Sequence, residues 1–260
     1  RSRPVPAVPP AASARPRVRL RLSSGAEARV TGCLGGPAVL FMNGGRARPD
    51  PGDWSASVER IVRGLAPQFP DLALVELRYR VKSWKRLELC VEDARAALAA
   101  LDASGSRTVG LVGFSMGGAV AIAAAGHRTV RGVIALAPWI PDELDLDGLR
   151  GRRLRVIHGA IDGYLPGIPG VSPRHSHAGF ERARRIGVHG EYTLIPLGVH
   201  GIAVRWCGRR LLPLPRAGRW LRLVGEELQA LRSAARAVPD AVARSGGGGP
   251  ADATGPSRTG

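Results

Sequence analysis

The chain has 260 residues, 44% hydrophobic and 23% charged, which suffices for one sizeable core without disulfide staples. Its net charge of +17 is almost wholly arginine, since Lys82 and Lys85 are the only lysines. The arginines are scattered, and the short clusters at Arg182, Arg184, Arg185 and at Arg209, Arg210 lack interleaved aromatics. That pattern describes a solvated basic surface and offers no stacking platform for nucleic acid.

Residues 1–16, rich in proline, arginine and alanine without periodicity, read as a disordered arm. Val18 to Leu22 alternates apolar residues with arginine, and Ala28 to Thr31 is its expected hairpin partner. Ala38 to Met42 is a fully apolar strand of the kind buried on both faces of a parallel sheet. Val58, Ile61, Val62 and Leu65 share one face of a helix. Leu72 to Tyr79 is a predicted strand, and Leu87, Val91, Ala94, Leu98 and Leu101 mark a second helix. Val109 to Val112 is a strand, Met116 to Ala125 a helix of small residues, and Val130 to Leu136 another strand. Leu154 to His158 and Tyr192 to Ile195 complete the strands, with a helix around Phe180 to Ile186 between them. Leu221, Val224, Leu228 and Leu231 form a last amphipathic helix. Residues 239–260, with the run Gly246 to Gly249, read as a flexible tail.

Strand–helix alternation over residues 17–238 predicts an α/β domain: a mostly parallel sheet with helices on both faces. In such sheets ligands bind beyond the carboxyl ends of the strands, so chemistry is sought just after each strand. Cys33, Cys90 and Cys207 make no close pair and no metal spacing, so reduced and mostly buried thiols are expected. No run approaches a membrane span, and the N-terminus lacks the apolar centre of a signal peptide. The expectation is a cytoplasmic protein, a monomer or homodimer, with no membrane partner.

Gly113-Phe114-Ser115-Met116-Gly117-Gly118 follows the strand ending at Val112 and opens a helix of small residues. That is the G-x-S-x-G nucleophile elbow in the context it requires. Side chains at Gly113 and Gly117 would collide with neighbouring backbone in so sharp a turn, which lifts the Ser115 hydroxyl clear of the sheet. A serine hydroxyl is a weak nucleophile until a base takes its proton. His200, in Gly198-Val199-His200-Gly201 after the last strand, is the expected base. His127 and His189 read as surface residues. His158 ends a strand but precedes the acid position, and the His175, His177 pair lacks the carboxylates or cysteines of a metal site. Asp162, in His158-Gly159-Ala160-Ile161-Asp162, is the expected acid that orients the imidazole, with Asp142 as its competitor. The backbone N–H groups of Met116 and of Gly45, with Gly44 next, are the expected oxyanion donors.

The runs LRYRVKSW, GFSMGG, GVIALAPW, HGAID and GVHG resemble the α/β-hydrolase superfamily from about Ala38 to Leu231. The resemblance is closest to small bacterial serine hydrolases grouped near dienelactone hydrolases and carboxylesterases. It implies the triad Ser115, Asp162, His200, no cofactor and no metal, and cleavage of a carboxylic ester or related acyl bond in a small molecule. Dienelactone hydrolases proper carry a cysteine at the elbow, so their substrate is not implied. Many relatives have a histidine where Asn43 stands. Acyl transfer to an acceptor other than water uses the same residues, and a non-catalytic ligand-binding protein on this fold is the alternative from another class. Pro138 to Arg153 is too short for a helical cap domain, so an open pocket is expected. Gly163 to His175 is a candidate partial lid. Asn43, Trp139 and Tyr164 are expected to line the pocket, together with Trp84.

Overall fold

The computed structural model describes residues 17–164, 170–208 and 210–237. The predicted N-terminal arm and the C-terminal tail lie outside the described residues. Strands in chain order are β1 (Arg17–Arg21), β2 (Glu27–Thr31), β3 (Ala38–Met42), β4 (Asp50–Pro51), β5 (Ala73–Arg78), β6 (Val81–Lys82), β7 (Val109–Phe114), β8 (Val130–Leu136), β9 (Arg153–Gly159), β10 (His189–Ile195), β11 (Ala203–Trp206) and β12 (Arg210–Pro213). The α-helices are α1 (Ala56–Leu65), α2 (Leu87–Ala103), α3 (Met116–Ala124), α4 (Pro173–Arg185) and α5 (Ala217–Ala237).

Eight strands form one sheet in the order β1-β2-β5-β3-β7-β8-β9-β10. β1 and β2 pair antiparallel as a hairpin and join the sheet by an antiparallel β2–β5 ladder; every other ladder in it is parallel. The reason for the parallel centre is visible in β3, whose five residues are all buried. Ala38, Leu40 and Met42 pack into one core, while Val39 and Phe41 pack into the other. A strand apolar on both faces must be covered on both faces. Helices α2, α3 and α4 supply Leu98, Val120 and Phe180 to the first core; α1 and α5 supply Ile61, Trp220 and Leu228 to the second. The fold is thus a mostly parallel sheet sandwiched by helices.

Between Pro138 and Arg153 the chain forms only a single 3-10 turn, Asp147–Leu149, so no helical cap covers the strand ends there. Two small antiparallel pairs, β4–β6 and β11–β12, stand apart from the main sheet. The cysteines differ from expectation. Cys33 lies in the turn after β2, and both it and Cys207 are exposed. Only Cys90 is buried, its thiol donating to Val81 O at 3.2 Å, and burial pushes it up to about 11, which keeps it an unreactive thiol. No described helix is long and apolar enough to cross a membrane.

Candidate active site

β7 ends at Phe114 and α3 begins at Met116, so Ser115 alone makes the turn between them. Its backbone sits at φ 56°, ψ −120°, a conformation that costs a non-glycine residue on the order of 1–3 kcal/mol. The surroundings over-determine it. Ser115 N–H donates to Leu136 O at 2.9 Å, and its carbonyl accepts from Gly118 N–H at 2.9 Å and Trp139 N–H at 3.1 Å. A side chain at Gly113 would strike the Gly117 carbonyl, and one at Gly117 would meet Met42 O at 2.5 Å. Both elbow glycines therefore mark close backbone approach, as the motif predicts.

The loop after β3 lies directly against this turn: a Cβ on Gly44 would sit 3.2 Å from Ser115 Cβ. Asn43 fixes the loop. Its Oδ1 accepts from Gly44 N–H at 2.7 Å, its amide donates to Asp53 Oδ1 at 3.2 Å, and its carbonyl accepts from the buried Tyr79 hydroxyl at 3.4 Å. Lys82, almost buried, donates to the same Asp53 oxygen at 2.5 Å.

Asp162 follows β9 and is fully buried. His200 Nδ1 lies 2.6 Å from its Oδ2, and Val171 N–H donates to its Oδ1 at 3.1 Å. Burial pushes this carboxyl up, but hydrogen bonds from His158 and His200 outweigh that and hold it below the usual carboxylate range. The His200 ring packs against Phe114, centroids 5.0 Å apart. Ser115 and His200 open into one cavity of about 440 Å³, whose walls include Asn43, Gly44, Gly45, Met116, Trp139 and Trp84. The strand ends thus bring the expected nucleophile, base and oxyanion loop to one rim, and the expected acid within hydrogen-bonding reach of the base.

Other expectations fall elsewhere. Tyr164 is not among the described wall residues; it occupies a turn after the acid, and its ring is mostly exposed. Asp142 lies on the surface, paired with Arg182 at 2.9 Å, away from both histidines that hold Asp162. Gly170 and Val171, from the predicted lid, do reach the cavity wall, while its residues 165–169 lie outside the described residues. His175 Nε2 accepts from Ile140 N–H at 3.2 Å, and His177 packs edge-on against Tyr192. Among the described residues no group of three or more His, Cys, Asp or Glu is arranged to hold a metal ion. Sequence reading passed over His158, which is buried against Asp162, and Lys82 in the cavity wall. Neither role had a local signal, since each depends on contacts between segments distant in the chain.

Sheet order, elbow and flanking helices together define the α/β-hydrolase fold. Solved structures share it. A sugar hydrolase from Lactococcus lactis aligns at TM-score 0.64 and 17% identity, over 85% of this chain and 100% of that one. A dienelactone hydrolase from Anabaena variabilis aligns at TM-score 0.57 and 19% identity, over 84% of this chain and 98% of that one. An α/β serine hydrolase without a lid, from Xanthomonas campestris, aligns at TM-score 0.57 and 16% identity, over 89% of this chain and all of that one. No protein-family model and no curated protein matches the sequence.

Proposed function

We propose that the protein is a serine hydrolase that cleaves a carboxylic ester or related acyl bond of a small molecule through an acyl-enzyme. The observation that carries this reading is the 2.6 Å contact between Asp162 Oδ2 and His200 Nδ1, with His200 facing the same cavity as Ser115. With Nδ1 committed to the carboxylate, Nε2 is the nitrogen left to take a proton. The hydrolases that share this fold support the reaction class.

In this reading Ser115 Oγ attacks the acyl carbonyl carbon as His200 Nε2 removes its proton. The oxyanion is received by the N–H groups of Met116 and Gly45, because Gly44 N–H is already bound to Asn43. Collapse expels the alkoxide, protonated by His200. Water then attacks the acyl carbonyl, giving its proton to His200, and the acid leaves with Ser115 restored. Asp162 stabilises the imidazolium in both halves. A cavity of about 440 Å³, with no helical cap over it among the described residues, suits a small acyl group with an extended leaving group.

A fluorophosphonate probe tests the reading. Wild type should be labelled stoichiometrically at Ser115 and should turn over p-nitrophenyl acyl esters; Ser115→Ala should lose both. Folded wild-type protein that takes no label overturns it.

A further inference from the structure

The hydrogen bonds around Asp162 do not end at His200. Against the same carboxylate oxygen stands His158, wholly buried at the end of β9, with Nε2 at 2.9 Å from Asp162 Oδ2 and 2.9 Å from Val171 O. Both partners are pure acceptors, so Nε2 must carry a hydrogen shared between them. The opposite nitrogen, Nδ1, is 2.7 Å from Ser176 Oγ on α4. Ser176 is itself buried and lies 2.9 Å from Tyr192 OH, which donates to Pro173 O at 2.9 Å. Ser176 Oγ also lies 3.1 Å from Pro173 O, but Tyr192 already donates to that carbonyl. With Ser176 donating to His158 Nδ1 instead, Nε2–H donates forward to Asp162 and Val171.

Val171 makes the geometry specific. Its N–H donates to Asp162 Oδ1 while its carbonyl accepts from His158, so both of its backbone polar groups are pinned to this pair. Gly170 beside it has no room for a side chain, which would strike Asp162 Oδ1. Gly170 and Val171 are also cavity wall. One buried ring therefore touches the carboxylate and the segment that walls the substrate space.

We propose that His158 is a positioning residue, a second imidazole that orients the Asp162 carboxylate toward His200 and fastens the 170–171 wall to it. The role rests on the reaction proposed above. It contacts neither Ser115 nor the cavity, and acts through Asp162. Among the described residues the hydrogen-bonding groups facing the Asp162 carboxylate are the two imidazoles and Val171 N–H. Tyr192 joins it by hydrogen bonds through Ser176 and His158, and burial, helped by the carboxylate charge, pushes the Tyr192 hydroxyl up.

The test is histidine-selective ¹⁵N NMR, reading the tautomer of each ring at alkaline pH in wild type, His158→Phe and His158→Gln. Wild type should show His158 as Nε2–H and His200 as Nδ1–H. In His158→Phe, His200 should show both tautomers, and turnover of p-nitrophenyl acetate should fall roughly tenfold, as loss of an outer orienting partner does. His158→Gln, whose amide can donate to both acceptors, should restore a single His200 tautomer and most of the turnover. If His158→Phe does not fold, Ser176→Ala keeps the ring and frees only Nδ1, and His158 should stay Nε2–H because Asp162 and Val171 O still require that hydrogen; a move of the hydrogen to Nδ1 there overturns the proposal. A His200 that stays purely Nδ1–H in folded His158→Phe, or a wild-type His158 protonated on Nδ1 alone, overturns the proposal. Fluorophosphonate labelling reads the reaction separately: an unlabelled wild type with the expected tautomers removes the hydrolase reading and leaves the orientation of His200 intact.

Discussion

Ser115 holds its hydroxyl on a backbone that glycine would adopt without strain. Ser115→Gly should therefore raise stability by about 1 kcal/mol in urea unfolding while abolishing fluorophosphonate labelling. Ser115→Ala should lose labelling at nearly unchanged stability, which separates backbone strain from chemistry. The elbow was legible because its glycines and serine are fixed by local geometry. Asp162 and His200 were legible for a different reason: each follows a strand whose carboxyl end must face the site. His158 was not, because its work depends on a burial partner on α4 that no local pattern announces. Tyr164 was misplaced for the converse reason. An aromatic after an acid reads as pocket wall, yet a turn there carries the ring outward.

β2 and β5 face each other across the sheet with Arg29 opposite Glu76, their side chains joined by two hydrogen bonds of 2.9 and 2.6 Å. Glu76 is almost fully buried, and burial pushes its carboxyl up despite the guanidinium beside it. Removing one member of such a pair strands the other's charge. Arg29→Met should cost about 3 kcal/mol in urea unfolding, and adding Glu76→Leu should recover most of it. This pairing joins strands that are not consecutive in the chain, so sequence spacing could not reveal it. The inner strands were readable, since an unbroken apolar run such as Ala38–Met42 has few other homes. The β11–β12 hairpin was missed, because Arg205 and Trp206 are exposed and leave no alternation to detect. α4 was read short. Its apolar face begins late, but Ser172, whose hydroxyl accepts from Arg174 N–H, and Pro173 at the first turn were a visible start signal.

At the scale of the molecule, a net charge of +17 can only grow as pH falls, since protonating carboxylates removes the opposing charge. Several carboxyls are held low: Asp162 and Glu59, where ion pairs and hydrogen bonds overcome burial, and Glu191 beside Arg155. A carboxyl depressed on folding adds stability above its unfolded value, near pH 4, and loses it as pH falls through its lower folded value. Unfolding should therefore set in below about pH 4, monitored by circular dichroism, and added salt should move its midpoint to lower pH by screening the arginines. A midpoint indifferent to salt would remove self-repulsion from the account.

β10 is the margin of the main sheet: it is laddered to β9 on one side and mostly exposed along its length. The loop that bears His200 is thus hung from an edge strand with a single partner, whereas the elbow rises from the middle. Fraying of that margin would carry the His200 ring off while Ser115 stayed seated, so the proposed activity should be the first thing warming takes away and cooling gives back.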